Sequence, residues 1–221
     1  MTFFDQAQLE EYRVDDSIAQ WLCETAQPED ESFVSHRWLL DSLPKRMVYS
    51  HLYGDLLKPR GPRRRILDVG GGFTALTRHL VLQHDYLLMD ILAHDPPEQL
   101  KRVEKELKLT FWKSVDWHDA DPGIYDLVIA NDLFPNVDQR LSLFLQKYLP
   151  TCAEMRLSLT YYNTEHWYRV KRTDADEVFH VLAWDAHQVR RVLEPYASRL
   201  ANSELDCLLR DAPIPSLFAN G

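Results

Sequence analysis

Asp68, Asp90, Asp116 and Asp132 each follow a short apolar run, and each carboxylate suits a different task. The first ends Ile66-Leu67-Asp68 and leads into Val69-Gly70-Gly71-Gly72-Phe73-Thr74. Glycines there allow positive φ and close approach of a ligand to the backbone. The helical pattern that follows (Ala75, Leu76, His79, Leu80) would aim free N–H groups at the turn. Asp90 closes Tyr86-Leu87-Leu88-Met89 and is placed to accept from two ribose hydroxyls, with Ile91 beside it. Asp116 follows Leu109-Thr110-Phe111-Trp112 and is placed to accept from an exocyclic amine, with Trp117 as its apolar neighbour. The pattern implies an adenosine-containing cofactor.

Gly70-x-Gly72-x-x-Ala75 also satisfies a dinucleotide fingerprint, so a nicotinamide-dependent oxidoreductase is the alternative. Two features count against it. Asp68 would repel a pyrophosphate and suits a ligand that is cationic at that end. No Tyr-x-x-x-Lys pair occurs, which removes one common dehydrogenase chemistry. Asp132 is the first candidate for a base or an acceptor-orienting group, because it follows the fourth apolar run, and Asn131 lines the cofactor pocket. His166, after the fifth run, is a second candidate facing the acceptor; Tyr161, Tyr162 and His36 are candidates for binding it. Each competes with a plainer role: a helix cap for Asp132, core packing for the tyrosines, a structural histidine for His36. Asp119-x-Asp121 and Asp174-x-Asp176 read as solvated turns rather than metal ligands.

The elements that must hold these residues alternate. Strands are predicted near 65–69, 86–90, 109–114, 126–130 and 154–160, and helices near 75–84, 97–107 and 138–149. That alternation implies an α/β fold: a Rossmann-like, open, mostly parallel sheet with helices on both faces. Residues 1–60 read as an N-terminal helical extension or lid, with Ser32 capping a helix that carries Phe33 and Leu40, and Pro44 opening another. Residues 61–221 read as the cofactor-binding core. Lys58 to Arg65 is a basic linker. His166 to Leu182 breaks the alternation and reads as an inserted β-hairpin around a polar turn. Asp185 caps a helix through Tyr196, and Glu204 to Leu209 reads as a strand.

ILDVGGGFT, YLLMD, SVDW and YDLVIANDLF, in that order, resemble the successive motifs of the class I S-adenosylmethionine (SAM) methyltransferases. The resemblance spans about Arg65 to Pro150. It implies SAM as cofactor, with Asp68 near the amino group of its methionine moiety, Gly70, Gly71 and Gly72 under the ligand, Asp90 on the ribose and Asp116 at the adenine amine. It places Asn131-Asp132-Leu133-Phe134 beside the transferable methyl. The usual third glycine is Thr74 here. The implied activity is methyl transfer to an oxygen or nitrogen of a small-molecule acceptor, for which a sugar or sugar-containing metabolite is the first suggestion. A non-catalytic SAM-binding protein is a further alternative.

The chain has 221 residues, 45% of them hydrophobic, which supports one α/β domain with an extension. A formal charge of −9 argues against nonspecific nucleic-acid binding. Cys23, Cys152 and Cys207 are far apart, which indicates neither a disulfide framework nor a zinc site. No leader pattern and no membrane-length apolar run is visible, so a cytoplasmic protein is expected. Arg169, Lys171 and Arg172 on the hairpin could meet an anionic acceptor group. The hairpin's edges equally suit a contact between two copies in a homodimer.

Overall fold

The computed structural model describes residues 4–58, 61–91, 94–135, 137–172 and 177–200. Four helices come first: α1 (Gln6–Val14), α2 (Ser17–Thr25), α3 (Val34–Asp41) and α4 (Leu43–Tyr53). The core follows as β1 (Arg65–Val69), α5 (Ala75–Gln83), β2 (Asp85–Met89), α6 (Pro97–Leu107), β3 (Trp112–Lys113), β4 (Tyr125–Phe134), α7 (Leu141–Tyr148) and β5 (Cys152–Leu159). A hairpin of β6 (His166–Arg172) and β7 (Glu177–Ala183) and helix α8 (Ala186–Leu193) complete it. The strand predicted at Glu204 to Leu209 lies outside the described residues. No helix among the described residues is long and apolar enough to cross a membrane.

The sheet is parallel with strand order β3-β2-β1-β4-β5. Chain order reverses between β1 and β4, which opens a crevice at the carboxyl ends of those strands. Both sheet faces are buried, so the strands are apolar on alternate residues in both directions. Ile66, Leu88, Leu127 and Ile129 face one core, shared with α2, α4, α5 and α6. Leu67, Val69, Met89, Val128 and Ala130 face the other, shared with α7 and α8. Asp68 falls by this alternation on the first face, inside the core.

The helical extension is part of the first core. Ile18, Leu22, Phe33, Leu39, Val48, Leu52 and Tyr53 pack in the same cluster as Ile66, Leu76 and Leu80. Polar ties fix it. Arg78 donates to the fully buried Asp30 through Nε at 3.0 Å and through a terminal nitrogen at 2.9 Å. Arg156 on β5 forks onto both Asp55 oxygens, at 2.6 and 2.9 Å, and onto the Leu52 carbonyl at 2.7 Å.

Several predicted boundaries move for identifiable reasons. Ser32 does not cap α3; its hydroxyl donates to the Glu29 carbonyl. The cap comes from Asp95, 61 positions away in the chain, whose Oδ1 accepts the Val34 amide at 2.6 Å. Leu40, expected inside, is 39% exposed. The strand predicted at 109–114 shrinks to two residues because Glu104 Oε1 takes the Phe111 and Trp112 amides at 2.9 and 3.0 Å. The α7 helix begins late because Asp138 accepts the Arg140 amide at 2.8 Å.

Candidate active site

A cavity of about 460 Å³ opens at the crevice between β1 and β4, within the size range of small-molecule sites, about 300–1,000 Å³. Its floor is Gly70, Gly71 and Gly72. One wall carries Asp90, Ile91, Val115, Asp116 and Trp117; the opposite wall carries Asn131, Asp132 and Leu133. The lid helices contribute Ser35, Trp38, Leu39, Lys45, Val48 and Tyr49. Of the residues predicted from sequence, the glycines, Asp90, Ile91, Asp116, Trp117, Asn131 and Asp132 meet in this lining. Asp68, His36, Tyr161, Tyr162 and His166 are outside it.

The glycine turn is held from both sides. Gly70 and Gly72 have φ of +71° and +65°. A Cβ on Gly72 would stand 2.2 Å from Ser35 Oγ, and one on Gly71 would stand 2.5 Å from Asp68 Oδ1. The turn therefore passes directly over Asp68 and under the lid helix. Its amides are less open than the sequence suggests. The Gly72 N–H donates to Asp90 Oδ2 at 2.9 Å. At the start of α5 the Ala75 N–H donates to His36 Nδ1 at 3.3 Å, and the Thr77 N–H donates to Thr74 Oγ1 at 3.3 Å. His36 is fully buried there, and burial lowers its pKa. The histidine closes the helix N-terminus and does not reach the cleft.

Asp68 is 2% exposed. Its Oδ2 accepts from Tyr53 Oη at 2.9 Å and from Tyr86 Oη. Its Oδ1 has no hydrogen-bond partner among the described residues. Burial drives its pKa up to about 6; hydrogen bonds from Tyr86 and Tyr53 oppose this, and the Asp90 charge adds to it. The folded chain therefore holds a proton that the unfolded chain has released above its ordinary 3.8. Stability from this proton is complete below pH 3.8 and is lost as pH rises through 6. At 1.36 kcal/mol per pK unit, the loss is about 3 kcal/mol. Urea unfolding of wild type and Asp68→Asn at pH 4 and pH 7 checks this. The free-energy difference, wild type minus variant, should fall by that amount; a pH-independent difference contradicts it.

The Asp116 wall is fixed by one arginine. Arg140 donates to Asp116 Oδ2 at 2.8 Å and forks onto Asp138, while its guanidinium lies 4.7 Å from the centre of the Trp117 ring. The His118 amide donates to Asp116 Oδ1 at 2.8 Å. Burial would raise the Asp116 pKa, but the Arg140 and His118 hydrogen bonds outweigh it and the pKa is lowered. Trp117 donates through Nε1 to Asp138 at 2.8 Å, so its ring plane is fixed as well.

Asp132 sits where β4 bulges, at φ +52°, a left-handed conformation rare outside glycine. Such strain persists only where surrounding contacts hold it, and it concentrates at functional sites. Here the Asp132 amide donates to Ser158 Oγ at 2.7 Å, and Thr160 Oγ1 donates to Asp132 Oδ1 at 3.1 Å. Ser158 Oγ in turn donates to Asn131 Oδ1 at 2.6 Å. The two wall residues are thus set by β5, which lies next to β4. His166 is exposed on the hairpin, near the Tyr162 and Tyr168 rings. Tyr161 packs against the second core. Lys45, Tyr49, Ser35 and Arg140 had no sequence signal, since each reaches the cleft only through packing of distant segments, whereas Trp38 stands in His36-Arg37-Trp38, a candidate for holding an anionic or sugar-like substrate.

The chain is similar to several solved structures. One is a 1,6-didemethyltoxoflavin-N1-methyltransferase from Burkholderia thailandensis with bound 1,6-didemethyltoxoflavin and S-adenosylhomocysteine. The match has 14% identity, covers 88% of this chain and 81% of that one, and has a TM-score of 0.47. Another is the N-methyltransferase NodS from Bradyrhizobium japonicum with S-adenosylhomocysteine, at 13% identity, 76% and 97% coverage and a TM-score of 0.41. A SAM-dependent methyltransferase from Clostridium acetobutylicum matches at 14% identity, 58% and 70% coverage and a TM-score of 0.41. No family model and no curated protein matches. Likenesses this distant assign no reaction, which has to be argued from the cleft.

Proposed function

We propose that this chain is a SAM-dependent methyltransferase that moves a methyl group to an oxygen or nitrogen of a small-molecule acceptor. The observation that carries this reading is the charge and closure of the glycine turn. A dinucleotide would set its pyrophosphate against the turn and the N-terminus of the following helix. Here Asp90 and His36 already occupy amides of that turn and helix, and Asp68 lies beneath. Asp90, Asp116, Asp132 and Asp138 line the cavity, and Arg140 is engaged with two of them. An acidic cavity with a closed phosphate site suits a ligand bearing ammonium and sulfonium cations.

The residues present fit SAM. Asp90 would accept from the ribose hydroxyls, Asp116 from the adenine amine, and Ile91, Val115 and Leu133 offer apolar surface to the base. Gly70, Gly71 and Gly72 line the cavity and let the turn pack closely against Leu133, Asp68 and Ser35, so that Asp68 Oδ1, with no partner among the described residues, lies directly behind the turn as an acceptor for positive charge. When bound, SAM supplies an electrophilic methyl on a cationic sulfur. The protein's own task is then alignment, which in favourable cases contributes about 7–11 kcal/mol. Asp132, fixed by Ser158 and Thr160, would take the proton lost by an acceptor hydroxyl; an amine acceptor needs only orientation. The N-terminal helices form one side of the cleft through Ser35, Trp38, Leu39, Lys45, Val48 and Tyr49.

The test is transfer of label from methyl-labelled SAM to acceptors. Alongside it, Asp90→Ala removes a charge-assisted acceptor and should weaken S-adenosylhomocysteine binding by about 1.5–3 kcal/mol. Calorimetry reads that loss directly, and an unchanged affinity would show that Asp90 does not hold the ribose.

A further inference from the structure

The lid brings a cation to the mouth of the cleft without giving it a hydrogen-bonded partner. Lys45, in the first turn of α4, lines the cavity. Its Nζ stands 5.0 Å from the centre of the Trp38 ring and 3.9 Å from Asp132 Oδ2. The second distance is beyond a hydrogen bond. Among the described residues, Lys45 Nζ donates no hydrogen bond, and its side chain is 32% exposed. Trp38 is fixed in turn by the edge of the His94 ring, with centroids 4.8 Å apart. A cation over a tryptophan face is held in place by the ring quadrupole while its N–H groups stay available. Arg140, also in the lining, differs: its Nε and one terminal nitrogen already donate to Asp116 and Asp138.

The surroundings of Lys45 say what it would take. Leu39, Val48, Leu133 and Val137 line the same cavity and suit an apolar body. Asp90 repels an anion from the glycine-turn end of the cavity, Asp116 is paired with Arg140, and Asp132 forms a long ion pair with Lys45 that an entering anion would share. Among the described lining residues, Lys45 is the cation with no hydrogen-bonded carboxylate, and an entering anion would take that position. We propose that this is the acceptor subsite, and that it selects a small acceptor with an apolar body and one anionic group, a carboxylate or a phosphate, which Lys45 binds and Trp38 helps to place. The assignment of this end of the cleft to the acceptor rests on the methyltransferase reading; the anion site does not.

The test uses four probes of similar shape and different charge: benzoate, phenyl phosphate, benzamide and benzylamine. Each is titrated calorimetrically into wild type and into Lys45→Met, with and without S-adenosylhomocysteine. With S-adenosylhomocysteine bound, at least one anion should bind wild type about tenfold or more tighter than benzamide, as expected for a charge-assisted hydrogen bond, while benzylamine should gain nothing from Lys45. The tighter of the two anions identifies carboxylate or phosphate as the natural group. Lys45→Met should bring the favoured anion and benzamide within about threefold, and Lys45→Arg should keep the preference. Equal binding of benzamide and both anions, no binding by either anion at millimolar concentration, or a preference that survives Lys45→Met would overturn the proposal. Failure of S-adenosylhomocysteine to bind while the anion preference persists would instead count against the methyltransferase reading.

Discussion

A chain that begins at Lys58 is expected not to fold cooperatively. Residues before that point place Ile18, Leu22, Phe33, Leu39, Val48, Leu52, Tyr53 and Leu56 in the core that covers one whole face of the sheet. Burying each such side chain contributes about 1.5–3 kcal/mol, and the total, about 12–24 kcal/mol, is comparable to or larger than the net stability of a domain, about 5–15 kcal/mol. Ordering those residues costs entropy that the truncated chain no longer bears. It does, however, leave Ile66, Leu76, Leu80 and Ile129 facing water as one apolar surface. It also removes Asp30 from Arg78, Asp55 from Arg156, His36 from the Ala75 amide and Tyr53 from Asp68. Near-UV circular dichroism and a thermal melt of the truncated protein check this. Loss of fixed aromatic signal and of a sharp transition is expected. A cooperative melt close to that of the full chain would show that the helices are a dispensable appendage.

The second large effect is expected at Asp30. It is fully buried, and both its oxygens are used: Oδ1 by Arg78 and Oδ2 by the Gln27 amide at 2.9 Å. Arg78 is 8% exposed, so Asp30→Ala strands a guanidinium in the core, where among the described residues Glu106, at 3.4 Å, is the remaining carboxylate to answer it. Breaking one side of a buried ion pair costs about 3–5 kcal/mol. For a chain of this length that lowers Tm by about 6–20 °C. Arg78→Met in the Asp30→Ala background should recover part of the loss, because it removes the stranded charge. A shift under about 2 °C in the single variant would mean the pair is not buried in solution.

Asp30 also shows where the sequence stops being legible. In Gln27-Pro28-Glu29-Asp30-Glu31 it looks like one more solvated acid in a polar break. Nothing local distinguishes it from Glu29, which is exposed. Its burial is decided by Arg78, 48 positions later. The strands and the glycine turn were readable because their signals are local: alternating apolar residues, a run of glycines, a carboxylate at a fixed distance from each. The same holds for Asp185, which caps α8 through a side-chain bond to Gln188, three positions on. Asp68 was readable as an acid out of place in an apolar strand, but not its situation. Its face of the sheet follows from alternation with Ile66, yet the two phenols on Oδ2 come from α4 and β2. Lys45 and Trp38 lie in lid helices whose sequence shows amphipathic spacing and nothing about which cleft they overhang. The side of the cleft carrying Asp90, Asp116 and Asn131 was thus visible in spacing, while the side carrying Lys45 and Trp38 is assembled by tertiary packing.

The central claim, that this cleft holds SAM rather than a dinucleotide, is tested most directly by calorimetric titration of the full chain with SAM, S-adenosylhomocysteine and NAD. SAM and S-adenosylhomocysteine are expected to bind with one site per chain, NAD without measurable heat, and Asp90→Ala to weaken both positive titrations. Binding of NAD with no response to SAM or S-adenosylhomocysteine would contradict the account.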